Sequence, residues 1–187
     1  GNNAGDFLRL LGNGSDFGLK HIHYTYQQGE GGIADALSLA EHFADNSKIV
    51  VMLGDNIIGG NITRFVNHFR KQKEGARILI KRVSDPWRFG VASIKRDKII
   101  EIIEKPKKPK SNFIVTGIYM YDSQVFNIIK TLKPSDRGEF EITDVNNIYI
   151  KRGQMKFDIL DSWWSDSGTF DSLLRANNLV AKKKSST

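Results

Sequence analysis

Two hydrophobic periods alternate along the chain, one typical of buried strands and the other of amphipathic helices. Short apolar runs predict strands at 48–53, 76–83, 91–95, 99–105, 113–122 and 155–160. Apolar residues spaced three and four apart predict helices at about 33–44, 62–69 and 141–150, one after Ser123, and a last one from about Thr169. In the last helix we expect four residues to face inward: Phe170, Leu173, Leu174 and Val180.

The order of these elements predicts the fold class. Strands that alternate with helices are typical of a layered α/β fold, so we expect a mixed, mostly parallel sheet. The residues Arg96, Asp97 and Lys98 separate two strands and predict a hairpin excursion. We expect Asn61 and Ser123 to cap the helices that follow them. No repeat or linker interrupts the pattern, which predicts one domain over residues 1–187.

Composition narrows the class of protein without naming a function. No apolar run approaches the roughly 20 residues that a membrane span needs, so no membrane partner is expected. Cysteine is lacking, which excludes disulfides and thiolate metal sites, and a cytoplasmic protein is the default. The net charge of +7 would suit nucleic acid or small anionic ligands. No zinc-finger or RNP-like motif accompanies the lysines at 105–110 and 182–184, so nucleic acid is not expected.

Two aspartates occupy positions where ligands gather in α/β proteins. Asp55 follows a predicted buried strand, and Asp166 follows the aromatic pair Trp163 and Trp164. Ligands of open α/β sheets bind outside the carboxyl ends of the strands. Mg²⁺ usually takes one or two protein carboxylates together with substrate phosphates. The pair therefore indicates a magnesium site, although each aspartate alone would equally suit a turn or a helix cap.

Several other polar segments have a plain structural interpretation beside a functional one. Glu104 and Lys105 end a strand, where solvated charges are common, and Glu139 and Glu141 precede a helix whose positive end favours acids. The glycine-rich segment 12–18 matches neither a dinucleotide-binding nor a Walker A spacing, which indicates an ordinary loop. The four histidines have no evident catalytic partner and are expected to be structural or surface residues.

Eight segments, taken together, carry a family resemblance. Each is weak alone, but their order and spacing along nearly the whole chain resemble the sugar-phosphate nucleotidyltransferases, and within them the thymidylyltransferase branch. The segments are 11–15 (LGNGS), 27–34 (Gln27 with GGIA), 53–57 (LGDNI), 85–91 (DPWRFGV), 103–106 (IEKP), 115–119 (VTGIY), 137–144 (RGEFEITD) and 164–169 (WSDSGT).

The resemblance implies a fold and a role for ten residues. The fold would be a Rossmann-like, three-layer nucleotidyltransferase fold, and Gln27 would read the nucleotide base beside Gly32. Asp55 and Asp166 would bind Mg²⁺, while Lys105 and Arg137 would hold the sugar phosphate. The remaining positions would line the sugar pocket: Glu104, Gly90, Val115 and Gly117. Of these, Glu104 would accept hydrogen bonds from sugar hydroxyls.

The implied reaction joins glucose 1-phosphate to the α-phosphorus of dTTP, giving dTDP-glucose and pyrophosphate for surface polysaccharide biosynthesis. The attacking phosphate oxygen is already ionised near neutral pH, so no general base is needed. The main obstacle is repulsion between two polyanions, which Lys, Arg and Mg²⁺ relieve.

Departures from the family pattern set the remaining expectations. The family begins with a strand, a G-x-G-T-R loop and a helix, and these 187 residues contain no such motif. The chain alone is therefore expected to have little or no activity, since positioning of the triphosphate carries much of the rate. Asp35 and Ser167 stand where the family usually has Gln and Thr or Ala, which leaves another nucleotide or hexose phosphate open. A non-catalytic binding module and a homo-oligomer also stay open.

Overall fold

The computed structural model describes residues 4–184, which form seven α-helices, two short 3-10 helices (Ser15–Phe17 and Pro86–Arg88) and eight strands. The helices are α1 (Ala4–Leu11), α2 (Ile33–Ser38), α3 (Glu41–Ala44), α4 (Thr63–Lys71), α5 (Gln124–Ile129), α6 (Ile142–Lys151) and α7 (Phe170–Lys184). The strands are β1 (Ile49–Met52), β2 (Ile57–Ile58), β3 (Ala76–Arg82), β4 (Gly90–Lys95), β5 (Lys98–Glu104), β6 (Phe113–Tyr121), β7 (Met155–Ile159) and β8 (Trp164–Ser165). Within the described part of the chain, no helix is both long and apolar enough to span a bilayer.

Strand β6 is the centre of a six-stranded mixed sheet. Its C-terminal half lies between β1 and β3, with Tyr121 opposite both Ile49 and Ala76. Its beginning meets β4 at Val91, and the hairpin partner β5 forms one edge of the sheet. Strand β7 runs parallel to β3 on the other side. A second, two-stranded sheet pairs β2 with β8.

The mixed α/β architecture is confirmed, but the expected predominance of parallel pairs is wrong for the described residues. Only β3 and β7 are parallel neighbours, while the other four pairings of the main sheet are antiparallel. Strands β1 and β3, which a helix connects, do run in the same direction. They do not touch, because β6 returns from the hairpin and inserts between them in the opposite direction.

Helices cover both faces of the sheet, which gives three layers. Alternate residues of β6 point to opposite faces, as the two-residue period of a strand requires. Tyr119 and Tyr121 pack with α2, α5 and α6, whereas Ile118 and Met120 pack with α4 and Trp164. Phe126 and Ile129 of α5, together with Leu132 just after this helix, belong to the first of these clusters.

Most predicted elements form within a few residues of their expected bounds, and the exceptions have identifiable causes. In α7 the four apolar residues expected to face inward are exposed, Phe170 by 93% of its surface, and Ser172 and Ala176 face the core instead. The two expected side-chain caps do not form: Ile62 is the N-cap of α4, and Ser123, the N-cap of α5, makes no capping bond. The residue before each N-cap accepts from the first helical N–H instead, Asn61 from Thr63 and Asp122 from Gln124.

A stack of buried tyrosines joins β6 to α6. The rings of Tyr121 and Tyr149 lie 5.8 Å apart and nearly parallel. The Tyr121 hydroxyl donates to Asn146 Oδ1 at 2.7 Å, and the Tyr149 hydroxyl donates to Asp122 Oδ1 at 2.7 Å. Burial raises the pKa of both phenols above their usual range, so both hydroxyls remain protonated donors at neutral pH. The hydrogen bonds therefore fix how α6 sits on the sheet.

Replacing Tyr121 with Phe is expected to lower the free energy of unfolding by about 1–3 kcal/mol, because the buried Asn146 carbonyl loses its donor. Urea denaturation followed by circular dichroism measures this loss. Tyr26→Phe is the matched control, since Tyr26 is 58% exposed, and it should leave the midpoint unchanged. Equal midpoints for both variants would contradict the role given to the Tyr121 hydroxyl.

Candidate functional site

A polar cavity of about 350 Å³ opens where β1, β5 and β6 meet the beginning of α6. Eight of the ten residues singled out from the sequence line it: Asp55, Gly90, Glu104, Lys105, Val115, Gly117, Arg137 and Asp166. The other two, Gln27 and Gly32, lie beside it, next to the lining residue Ile33. The four histidines are not among the lining residues. Folding thus gathers positions that are up to 111 residues apart in the chain.

Lys105 has an unusual backbone conformation that separates it from the lysines that follow. Its φ is 41°, in the left-handed region that side chains other than glycine rarely adopt. Its N–H donates to the Phe89 carbonyl at 3.1 Å, which holds the chain beside the β4–β5 hairpin as the strand ends. Strained backbone of this kind is common at ligand sites, where the surrounding structure maintains it. The conformation places Lys105 on the cavity wall.

Arg137 is held at the cavity by the carboxylates before α6. Its Nη2 lies 2.8 and 2.9 Å from the two oxygens of Glu141 and 3.6 Å from Glu139. The hydrogen bond to Glu141 raises the pKa of Arg137 further above its ordinary value. Ser135 also donates to Glu141, at 2.8 Å. The two glutamates, which suit a helix N-terminus on charge alone, therefore have a second role in positioning the guanidinium.

Asn56 connects three parts of the cavity through its buried amide. Its Oδ1 accepts from the Gly117 N–H at 2.9 Å and from Trp164 Nε1 at 2.7 Å. Its Nδ2 donates to Asp55 Oδ1 at 2.8 Å. A side chain at Gly117 would place a Cβ 2.4 Å from this Nδ2, so the glycine is required for the approach. Sequence reasoning gave Asn56 no role, although it lies inside the segment LGDNI.

The small β2–β8 sheet brings the two aspartates together. Ile57 is opposite Ser165 in this antiparallel pair, so the residues just before β2 face those just after β8. Ser167 Oγ donates to the Asp55 carbonyl at 2.9 Å, and a Cβ on Gly168 would lie 3.4 Å from Asp55 Oδ2. Sequence reasoning placed both aspartates at strand ends of one parallel sheet. The proximity is as expected, but a separate two-stranded sheet produces it.

The side chains around these aspartates fit a Mg²⁺ ion that the protein and a phosphate-bearing ligand would coordinate together. Five carboxylates and three cationic side chains line the cavity, which leaves a local charge of −2 before any ligand binds. Phosphates would be repelled by such a cavity unless a cation entered with them. Among residues 4–184, no three His, Asp or Glu side chains converge on one point. Two carboxylates that leave the other positions to water and phosphate are typical of Mg²⁺.

Glu104 is oriented by neighbours on two elements. Thr143, in the first turn of α6, donates to Glu104 Oε2 at 2.8 Å. Gly90 lies directly opposite Glu104 in the hairpin, and a Cβ there would come within 3.2 Å of the same oxygen. Burial, then the charges of Glu104 and Asp55, raise the pKa of Tyr119 above its usual range, so its hydroxyl stays protonated. These groups form a polar wall suited to hydroxyl-bearing ligands.

Gln27 and Gly32 form a cluster at the rim of the cavity. Gln27 Nε2 donates to the Gly32 carbonyl at 3.1 Å and to Asp35 Oδ2 at 2.7 Å. Backbone hydrogen bonds from Phe140 to the Gly31 carbonyl and from Ala34 to the Phe140 carbonyl attach this segment to the Arg137 loop. Gly32 has φ 90°, and a Cβ there would lie 2.7 Å from the Phe140 carbonyl oxygen.

Three further residues of the site were not identified from the sequence. Arg88 and Arg175 both bond Asp166, and Thr143 bonds Glu104. Arg88 does lie in the segment DPWRFGV, but nothing in its spacing indicates a partner 78 residues away. Arg175 and Thr143 lie in predicted helices, and the hydrophobic period of a helix indicates which face is buried but not which side chains it bonds.

The mixed sheet and the cavity, lined by two aspartates, a lysine and an arginine, define the class: an α/β protein with a strongly charged ligand site. Comparison with known proteins identifies the family. The model of the family described as "Nucleotidyl transferase" matches residues 2–183. The chain belongs to the nucleotidyl transferase family, and the resemblance that the eight segments indicate is confirmed.

Two relatives and one solved structure carry names from the thymidylyltransferase branch of the family. The chain is 40% identical over 178 residues to a glucose-1-phosphate thymidylyltransferase of Neisseria meningitidis, covering 93% of this chain and 62% of the relative. A glucose-1-phosphate thymidylyltransferase of Mycolicibacterium smegmatis is 41% identical over 182 residues, with 93% and 61% covered. A Bacillus anthracis structure assigned to the same activity, in complex with sucrose, has a TM-score of 0.89 and 55% identity, covering 94% of this chain and 71% of that one.

The chain spans about three fifths of the length of the curated relatives that it matches.

Replacing Gly117 with Ala is expected to destabilise the protein by about 1–3 kcal/mol, because the methyl group would overlap the Asn56 amide. Thermal unfolding measures this. Gly54→Ala is the matched control, since nothing lies within 4 Å of a Cβ at that position, and its effect should stay within about 0.5 kcal/mol. A Gly117→Ala protein as stable as the control would show that the Asn56 contact is dispensable.

Proposed function

We propose that this chain carries the sugar-phosphate and metal-binding part of a glucose-1-phosphate thymidylyltransferase, which joins glucose 1-phosphate to dTTP and releases pyrophosphate. The observation that supports this most directly is the cavity that gathers Asp55, Asp166, Lys105 and Arg137. The relatives named above carry the same activity in their names. A cytoplasmic location, a role in surface polysaccharide biosynthesis and a homo-oligomer belong to this proposal as well.

In this proposal, Lys105 and Arg137 bind the sugar phosphate and place its oxygen for attack on the α-phosphorus of the triphosphate. The phosphate oxygen is a competent nucleophile without a base, since its second pKa is about 6. This agrees with a cavity whose lining contains no histidine. Mg²⁺, held by Asp55 and Asp166, would supply positive charge to the phosphates of the incoming triphosphate.

The polar wall around Glu104 would recognise the sugar. Glu104 Oε2 already accepts from Thr143, and its other oxygen and remaining lone pairs can accept from sugar hydroxyls. Gly90 and Gly117 leave room for the ring because neither carries a side chain, and Val115 contributes an apolar surface. This wall favours a neutral hexose over an acidic one, since a second carboxylate would face Glu104.

The base would be read by Gln27 with its amide held in one orientation. Both partners of Nε2, the Gly32 carbonyl and the Asp35 carboxylate, are acceptors, so the amide nitrogen must point toward them. The Gln27 carbonyl oxygen then remains as the group that a base can meet. It would accept from the ring N–H of thymine or uracil, and it would repel cytosine, which has an acceptor there.

A second reading keeps the fold and changes the substrates to UTP, CTP or another hexose 1-phosphate. Asp35, which stands where the family usually has Gln, is the observation that favours it, because it adds negative charge beside the base reader. A non-catalytic binding module is less well supported, since such a module would not need the paired aspartates.

Replacing Asp55 or Asp166 with Asn is expected to lower turnover by about 100-fold or more, the order seen when one electrostatic group is removed from an active site. Pyrophosphate release from dTTP, glucose 1-phosphate and Mg²⁺ measures it. The assay is run on the 187-residue chain and on the chain joined to the G-x-G-T-R segment that the family resemblance implies.

Asp161→Asn provides the matched control, because its exposed carboxylate pairs with Arg64 outside the cavity. This variant should keep full activity. Wild-type turnover in either the Asp55 or the Asp166 variant at low Mg²⁺ would contradict the metal assignment. No pyrophosphate from either form of the wild-type chain would contradict the proposed reaction.

Replacing Gln27 with Ala is expected to reduce the preference for dTTP over CTP by up to about tenfold, since one hydrogen bond contributes about 1 kcal/mol. Relative kcat/KM values for dTTP, UTP, CTP and ATP measure it. Gln28→Ala is the control, because this neighbouring glutamine is exposed. Unchanged ratios in the Gln27 variant would remove Gln27 from base selection.

A further inference from the structure

Asp166 differs from Asp55 in the groups that bond its carboxylate. Asp55 Oδ1 accepts from the neutral amide of Asn56. Asp166 is bonded by two guanidinium groups, with Oδ2 at 3.1 Å from Arg88 Nη2 and Oδ1 at 3.1 Å from Arg175 Nη2. Its side chain is only 13% exposed. Of the two aspartates proposed to bind Mg²⁺, Asp166 therefore already has its negative charge balanced by arginines of the protein.

The two arginines have unequal positions. Arg175 belongs to α7 and is tied back by a hydrogen bond from its Nε to Ser165 Oγ at 3.2 Å. Arg88 belongs to the turn before β4 and lines the cavity. Its other nitrogen, Nη1, donates to Asp85 Oδ2 at 3.1 Å, so the guanidinium bridges two aspartates across the cavity wall. Arg175 therefore lies beside the site, whereas Arg88 lines the cavity itself.

The charges of Asp166, Arg88 and Arg175 suit a cavity that binds a divalent cation and a phosphate together. Two guanidinium groups together bring +2 to Asp166, the same charge as one Mg²⁺ ion. A divalent cation at Asp166 would be repelled by Arg88, so the two compete for the same carboxylate oxygen. Of the three cationic residues that line the cavity, Arg88 and Arg137 are engaged by carboxylates. An entering phosphate would therefore find few cationic side chains that are free of carboxylates until a divalent cation displaces one of the arginines.

We propose that Arg88 is a phosphate-binding residue that Asp166 holds in reserve and that a divalent cation releases. The cation takes Oδ2 of Asp166, and the Arg88 guanidinium turns into the cavity and bonds the sugar phosphate. Cation and sugar phosphate then bind cooperatively, because each favours the state in which Arg88 has left Asp166. This inference rests on the proposed function for the identity of the metal ligands.

In the free protein, Arg88 and Arg175 hold the Asp166 carboxylate beside the β2–β8 sheet. Nη1 of Arg88 bonds Asp85 separately, so this contact does not depend on Asp166. Arg88 Cζ also lies 5.1 Å from the centre of the Phe89 ring, which gives the guanidinium a surface to pivot over.

The test is calorimetric titration of Mn²⁺ and of glucose 1-phosphate, each with and without the other, on the wild-type chain and on Arg88→Gln. The variant should bind Mn²⁺ alone about fivefold more tightly, because the competing cation is gone. In the presence of Mn²⁺ it should bind glucose 1-phosphate about fivefold more weakly, because the released arginine is missing. Arg64→Gln removes the same charge from an exposed ion pair with Asp161 and should change neither affinity.

Two results would overturn the exchange. One is Mn²⁺ affinity in Arg88→Gln that equals or falls below that of the wild type. The other is an equal loss of glucose 1-phosphate binding with and without Mn²⁺, which would mean that Arg88 contacts phosphate permanently. If Arg88→Gln does not fold, Arg88→Met carries the same test, since it also removes the guanidinium charge and keeps an unbranched side chain over Phe89.

The titrations measure no turnover, so they separate this inference from the proposed reaction. Cooperative binding without pyrophosphate release would support the exchange and contradict the reaction. Absence of Mn²⁺ binding in both the wild type and Arg88→Gln would overturn the exchange together with the metal assignment.

Discussion

The amide of Asn56 is the contact on which the geometry of the cavity depends. Through two acceptor bonds and one donor bond it joins the central strand, the second sheet and the first proposed metal ligand. An amide suits this place because it offers both kinds of hydrogen-bonding group within one rigid plane. An aspartate there would face Asp55 with a like charge, and a leucine would leave the Trp164 N–H without a partner. One buried side chain thereby links Gly117 of the central strand to Asp55 and to Trp164 of the second sheet.

The arginines that line the cavity are paired with acidic side chains of the protein. Each arginine on the cavity wall is neutralised by acids of the protein, Arg137 by Glu141 and Arg88 by Asp85 and Asp166. Lys105 makes no ion pair within residues 4–184 and is held by its backbone conformation instead. An empty cavity with fully exposed cations would attract any small anion of the cell. Pairing the arginines internally restricts strong binding to ligands that bring their own counter-ion.

Sequence reasoning located the elements and most of the site but not the contacts between them. Apolar runs such as 76–83 indicate a strand whatever its neighbours, so β3 and β6 were predictable. The direction of β6 relative to β1 was not, because strand order depends on packing across the whole sheet. The outward-facing Phe170 was missed because amphipathicity defines a helix face but not what covers it. Strands of two residues, such as β2 and β8, have no detectable period, and the Asn56–Trp164 bond joins residues 108 positions apart.

The β4–β5 hairpin has a consequence for how the specificity of such a protein can change. Gly90 and Glu104 face one another at its cavity end, while the turn of Arg96 and Asp97, both with positive φ, closes its far end. Six residues of strand separate the two ends, about 20 Å. Substitutions at the turn therefore lie far from the polar wall around Glu104. A larger residue at position 90 would need a change at position 104 on the facing strand, because its Cβ would meet the Glu104 carboxylate. We therefore expect these two positions to vary together, whereas the turn varies freely.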